Sequence, residues 1–195
     1  MQSNNWEKSI KILKQGGIII APTDTIYGVL GSALNKKTVE RIYKVRARDK
    51  GKPCIVLISS LEQLKKLGVK VTNEEKKLLE TFWPGKVSVV LNCESKKLSY
   101  LHRGTKTLAI RMVGPKNRNI YNIVREVGPI VAPSANPQGL LPAQNIWQAK
   151  SYFKDKVDMY MCGGTRKSKP TTLIQFKNNK VKILRQGSVE IKTSR

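Results

Sequence analysis

A chain of 195 residues with 39% apolar side chains is long enough for one well-buried core, and no break in composition marks a second domain. Lysine and arginine number 37 against 13 acidic residues, a net charge of +24 that favours anionic partners, and no apolar run approaches the roughly 20 residues of a membrane-spanning helix. Three scattered cysteines (Cys54, Cys93, Cys162) and one histidine, His102, argue against a disulfide framework or a Cys/His zinc site. The N-terminal MQSNNWEKSI is not a signal sequence, so a cytoplasmic location is expected.

In chain order, Asn5 is placed to cap a first helix carrying Trp6, Ile10 and Leu13 on one face, with Gly16-Gly17 as its stop. Ile18 to Ala21 reads as a short buried strand, and Pro22-Thr23-Asp24-Thr25 as a turn presenting hydroxyl and carboxylate oxygens. Gly28, Gly31 and Ser32 keep the next segment narrow. Thr38 is placed to cap a helix whose Val39, Ile42, Tyr43 and Arg46 share a stripe, which delivers the loop Arg46 to Pro53 at its C-terminal end. Arg46, Arg48, Lys50 and Lys52 repel one another there, and an anion among them would stabilise the loop.

CIVLIS then reads as a strand and SSLEQLKKLG as a helix closed by Gly68. Thr72-Asn73-Glu74-Glu75 has capping-box spacing for a helix that runs through Phe82 and stops at Pro84-Gly85. Val87–Leu91 and Thr107–Arg111 are β-branched strands separated by a polar loop through His102. An amphipathic helix over Asn119–Val127 leads through Gly128-Pro129 to a strand at Ile130–Ala132 and the turn Pro133-Ser134-Ala135-Asn136-Pro137. A helix near Ile146–Tyr152, a strand VDMYMC ending at Gly163-Gly164, and the basic loop TRKSKP follow. Thr172–Phe176 and Val181–Leu184 read as arms of a hairpin turning at Asn178-Asn179. Alternating helices and strands without a repeat give an α/β fold with a mixed sheet.

Thr25, Ser134, Asn136 and Thr171 offer neutral hydrogen-bonding groups, and Arg46, Arg48, Lys52, Arg111 and Arg185 offer positive charge. No carboxylate pair suits glycosidase chemistry, no Ser/His/Asp set exists unless His102 serves, and neither a Walker A loop nor a G-x-G-x-x-G fingerprint is present. A nucleotide site would therefore hold phosphates mainly with side chains.

The PTDTIYG turn, the loop R-A-R-D-K-G-K-P, the S-A-N triplet followed by Gly139, the Gly163-Gly164 pair and the ending T-T-L-I-Q…L-R-Q-G together resemble the YrdC domain of threonylcarbamoyl-AMP synthases over residues 8 to 188. The resemblance implies a single YrdC-like domain over residues 1–195: a twisted mixed sheet with flanking helices around a basic cavity. It also implies a reaction in which L-threonine, bicarbonate and ATP give threonylcarbamoyl-adenylate and pyrophosphate, the first step toward N6-threonylcarbamoyladenosine in tRNA. Arg48 and Lys52 would hold the ATP phosphates with Arg46 beside them, and Arg185 would close on the nucleotide. Thr25, Arg111, Ser134 and Thr171 would hold threonine or its carbamate, while Thr107 and Asn136 position the nucleotide. Mg²⁺ would arrive with ATP, and no protein side chain is assigned to it.

Against the family's usual pattern, Arg46 replaces a lysine, Asp49 a proline and Thr171 a frequent serine; Ala132-Pro133 precede S-A-N, and Leu57 stands where some members have histidine. The chain ends soon after L-R-Q-G, so the extra C-terminal domain of longer members is expected to be absent, with separate proteins transferring the product to tRNA. The competing class is a non-catalytic RNA-binding protein, supported by the charge but not by aromatic content, which is only 6% and not clustered with basic residues. The zinc-finger and acylphosphatase regions that accompany such domains in hydrogenase maturation factors have no room here.

Overall fold

The computed structural model describes residues 2–177 and 180–191. Helix α1 (Gln2–Lys14) is already under way at Asn5, so Asn5 lies inside the helix and does not cap it. The helix gives way at Gly16, whose φ of +85° suits glycine. Strand β1 (Ile18–Pro22) runs one residue further than expected. Pro22 ends it opposite Tyr27, a terminal position where a missing N–H is tolerated. Thr23–Ile26 then turns the chain into β2 (Tyr27–Ser32), a strand whose small residues hide it from sequence inspection. Gly31 has a packing reason: a Cβ there would lie 2.5 Å from Thr38 Cγ2 and 2.8 Å from Ile42 Cδ1, so only glycine lets the next helix settle on the strand.

That helix, α2 (Lys36–Val45), is capped by Asn35, which accepts a hydrogen bond from Thr38 N at 3.2 Å. Thr38, the expected cap, instead donates its hydroxyl to Gly16 O at 2.7 Å. Strand β3 (Val56–Ile58) occupies only the middle of CIVLIS and leads to the short α3 (Gln63–Lys66). Helix α4 (Asn73–Phe82) carries the expected capping box between Thr72 and Glu75. Between β4 (Val87–Asn92) and β5 (Thr107–Met112), the expected polar loop contains a 3-10 turn and the one-turn helix α5 (Ser99–His102), on which His102 is buried. Helix α6 (Arg118–Val127), β6 (Ile130–Val131), α7 (Ile146–Phe153), β7 (Met159–Tyr160), β8 (Thr172–Lys177) and β9 (Lys180–Arg185) complete the chain. The Asn178-Asn179 turn lies outside the described residues.

The described residues form one nine-stranded mixed sheet in the order β7-β1-β2-β6-β3-β5-β4-β8-β9. Three of its pairings are parallel: β1 with β7, β3 with β5 and β4 with β8. Apolar side chains cover both faces. On one, Val29, Val56, Ile58, Leu108 and Ile110 pack with residues of α2 and α4. On the other, Leu30, Leu57 and Ile130 meet Leu13 of α1 and Ile123 and Val124 of α6.

Beyond β3 this second face opens. Arg111 lies beside Leu57, Ala109 opposite Val90 and Val90 opposite Gln175, so these residues share it. Ala109, Val90, Leu173 and Gln175 are only half-buried. No helix of the described residues is long and apolar enough to cross a membrane.

Candidate active site

The Thr23–Ile26 turn is closed by its own first side chain. Thr23 Oγ1 donates to Ile26 O at 2.7 Å, accepts from Thr25 N at 3.2 Å and lies 3.2 Å from Thr25 Oγ1. Asp24 points across the sheet, where both carboxylate oxygens accept from Arg111 Nη1 on β5, at 2.6 and 2.7 Å. Both side chains are 3% exposed, and Arg111 Nε is buried without a partner among the described residues. Arg111, read from the sequence as a positive charge for the ligand, is one half of a buried ion pair.

The S-A-N turn docks on β2 through its backbone: Val29 N donates to Pro133 O at 2.9 Å and Ala135 N to Tyr27 O at 2.8 Å. Arg46, at the C-terminal cap of α2, holds this turn from behind. Its Nε donates to Asn136 O at 2.9 Å, and its Nη2 to Ser134 Oγ at 3.2 Å and Asn136 Oδ1 at 3.4 Å. Asn136 spends its own amide on Pro137 O and Leu140 O. Arg46 and Asn136 thus form an internal brace, which the sequence had placed beside the ligand. Burial pulls the Arg46 guanidinium down to a pKa of about 10, and its Nη1 is buried without a partner among the described residues.

The basic loop owes its shape to the end of α2. Ala47 sits at φ +46°, Ala47 N bonds Lys44 O, and Arg48 N bonds Tyr43 O, the two bonds of a Schellman cap with alanine in the usual glycine position. Arg48 curls over the loop and donates to Lys52 O at 3.0 Å and Pro53 O at 2.9 Å. Lys52 is exposed and lies 3.8 Å from Asp49. Tyr43 donates its hydroxyl to Lys52 O at 2.9 Å and lies under the Arg103 guanidinium, 4.0 Å from its ring centre. Burial pushes the Tyr43 phenol up to about 12, so it remains a donor throughout the neutral range.

A small cavity of about 110 Å³ gathers Thr25, Arg111, Ser134, Thr171 and Arg185, with Leu57 and Ile55 as apolar lining. Thr171 Oγ1 lies 2.9 Å from the buried Ser88 Oγ, and Thr171 O accepts from Arg185 Nη2 at 2.9 Å. Arg46, Arg48, Lys52 and Asn136 lie outside this lining. So does Thr107, at the other end of β5 from Arg111 and about 13 Å from it along the same face.

Sequence reasoning missed Asp24 as the partner of Arg111, Ser88 beside Thr171, and Tyr27. Tyr27 donates to Gly164 O and accepts from Gly163 N, both at 2.8 Å, tying the cavity wall to the Gly163-Gly164 turn. The scarcity of acids, 13 against 37 basic residues, was the one available signal for Asp24. Among the described residues no cluster of three or more Cys, His, Asp or Glu side chains could hold a metal ion.

The sequence profile of the Sua5/YciO/YrdC family, described as "Telomere recombination", matches residues 11–187. The chain belongs to this family. Among its curated relatives, the threonylcarbamoyl-AMP synthase of Pyrococcus abyssi is 29% identical over 181 residues, covering 92% of this chain and 53% of that protein. The Bacillus subtilis enzyme of the same name is 36% identical over 130 residues, covering 66% and 37%. The chain thus spans about half the length of the first relative and less of the second. The crystal structure of P. abyssi Sua5 complexed with L-threonine superposes with a TM-score of 0.83 at 28% identity, over 93% of this chain and 54% of that one. The nine-stranded mixed sheet and flanking helices thus match the fold of a family member over most of this chain.

Proposed function

We propose that this protein is an L-threonylcarbamoyladenylate synthase, acting in the cytoplasm at the first step of N6-threonylcarbamoyladenosine formation in tRNA. The observation that carries the reading is the convergence of three hydroxyls (Thr25, Ser134, Thr171) with Arg111 and Arg185 on one cavity of about 110 Å³. Ligand pockets usually measure about 300–1,000 Å³, so this small space suits an amino acid and not a whole nucleotide. The relatives named threonylcarbamoyl-AMP synthase, and the L-threonine complex of a family member, support threonine as that amino acid.

ATP, entering as its Mg²⁺ complex, lies over the open face of β5, β4 and β8, with its phosphates toward Arg48 and Lys52 and with Arg185 at the junction. Bicarbonate and the threonine amine condense to a carbamate with loss of water. A carbamate oxygen then attacks the α-phosphorus, the new P–O bond forms, and the bond to pyrophosphate breaks. The attack joins two anions, so alignment and charge neutralisation carry the catalysis and no strong protein base is required. Thr25, Ser134 and Thr171 orient threonine. Arg111, already fixed by Asp24, presents its remaining N–H groups without reorganising. Arg46 and Asn136 act one layer back by holding the turn that carries Ser134. Separate proteins then transfer the threonylcarbamoyl group to tRNA.

The test is pyrophosphate release from Mg–ATP by the purified protein. Release is expected to require both L-threonine and bicarbonate. Equal release without threonine, or no release with all three substrates, overturns the reading.

A further inference from the structure

On the opposite side of the Thr23-Asp24 turn from the substrate cavity lie two adjoining hollows of about 360 and 310 Å³, which share Trp6, Pro22, Asn119 and Arg166. Lys116 and Arg118 line the larger one. With Arg166 these cations come from two places far apart in sequence: the continuous 3-10 turn and start of α6 (Lys116 and Arg118) and the TRKSKP loop (Arg166). None of the three forms an ion pair among the described residues. Arg166 is partly buried, its Nε has no hydrogen-bond partner among the described residues, and its backbone is fixed by its N–H to Gln144 O at 2.7 Å. The one carboxylate in the lining is Asp24, whose charge is already matched by Arg111 at 2.6 Å. At the start of α6, Asn117 makes no side-chain cap, so first-turn N–H groups are left to other acceptors.

Trp6 borders both hollows. It is half-buried, packs against the core cluster beneath α1 and α6, and leaves part of its indole toward the groove. A concave site with three unpaired cations and an aromatic surface has the ingredients of nucleotide recognition: charge-assisted hydrogen bonds for phosphate and a ring for stacking. Its size falls in the range of small-molecule pockets.

We propose that this groove is a second ligand site, which takes a free mononucleotide, its phosphate held by Lys116, Arg118 and Arg166 and its base against Trp6. The site is separate from the substrate cavity and does not depend on the activity proposed above. A free mononucleotide is the smallest ligand that carries both groups, a phosphate for the three cations and one base for the single indole.

The experiment is a titration of ¹⁵N-labelled full-length protein with AMP, followed through the amides of residues 117–120 and 166. Saturable shifts are expected at those amides. They should persist in Ser134→Ala protein and weaken at least tenfold in the Lys116→Ala, Arg118→Ala double variant. Ribose 5-phosphate should bind at least several-fold more weakly than AMP, and Trp6→Leu should abolish that preference. No saturable shift at 117–120, or shifts unaffected by the double variant in a protein with a native spectrum, overturns the site. Equal binding of ribose 5-phosphate overturns the nucleotide assignment. So does an oligoribonucleotide that binds far more tightly than AMP with a steep salt dependence, because the groove would then belong to a nucleic-acid surface.

Discussion

At the scale of single residues, the arginines that the sequence presents as one class divide into three. Arg46 is a buried brace, Arg111 is half of a buried ion pair, and Arg48 lies on its own loop with Nη1 unbonded among the described residues. Different substitutions should separate them. If Arg48 holds the ATP phosphates as proposed, Arg48→Ala is expected to cost about 1.5–3 kcal/mol in transition-state binding, roughly 10- to 150-fold in kcat/KM, with little change in thermal stability. Near-normal kinetics, or a loss that tracks unfolding, would make Arg48 a structural residue. Asp24→Asn should behave in the opposite way. It leaves the Arg111 charge buried and uncompensated, so a loss of about 3–5 kcal/mol is expected in urea unfolding. A variant as stable as the parent would show that water or a neighbour supports Arg111. The hydroxyls of the site were legible in the sequence because each sits in a short turn signal, T-D-T, S-A-N or P-T-T. Asp24 was not, because its partner is 87 residues away and nothing local announces the pairing.

At the scale of elements, signals that act within a few residues survived and those that depend on packing did not. The Thr72 capping box, the β-branched runs of β4 and β5 and the Gly128 stop stand as read. Strand β2 escaped notice because Gly28, Gly31 and Ser32 have poor strand propensity, overridden here by pairing with β1 and by the close approach of α2. The α2 cap moved from Thr38 to Asn35 because Thr38 is claimed by Gly16 O, a contact from another element. Asp158 supplies a further long-range tie. It accepts from Ile18 N at 2.7 Å, at the start of β1, and from both terminal nitrogens of Arg41 on α2, at 2.6 and 3.0 Å. Burial raises the pKa of its carboxyl, but the Arg41 and Ile18 hydrogen bonds outweigh that and hold it below the ordinary 3.8. A depressed carboxylate stabilises the fold above the unfolded-state value and loses that contribution as pH falls through the folded one. The stability advantage of the parent over Asp158→Asn should therefore be full at pH 5 and above and shrink below about 3.8. An advantage that stayed constant down to pH 2 would show that the carboxylate charge does not matter.

At the scale of the whole molecule, a net charge of +24 invites the view that the surface exists to bind RNA. The proposed substrate cavity argues for a division of labour, since its wall holds only two arginines, one of them neutralised by Asp24. Lys76 and Lys97 are exposed and distant in sequence from every cavity-lining residue. Replacing both with alanine is expected to weaken non-specific RNA association at low salt and to leave pyrophosphate release unchanged. A fall in release in the folded double variant would tie surface charge to turnover.

The cavity itself is drawn from residues 23–28, 55–57, 111, 132–142 and 170–185, so no contiguous stretch of chain contains it. Its sheet joins Ile19 to Met159 and Val87 to Thr172, pairings that close long loops and come slowly in folding. A pocket assembled from such distant segments is expected to form late in folding, so that a partly folded chain would lack the proposed amino-acid site. Ligand and late folding events then stabilise one another: at a hundred times its dissociation constant, a ligand that binds only the finished protein adds about 2.7 kcal/mol to global stability.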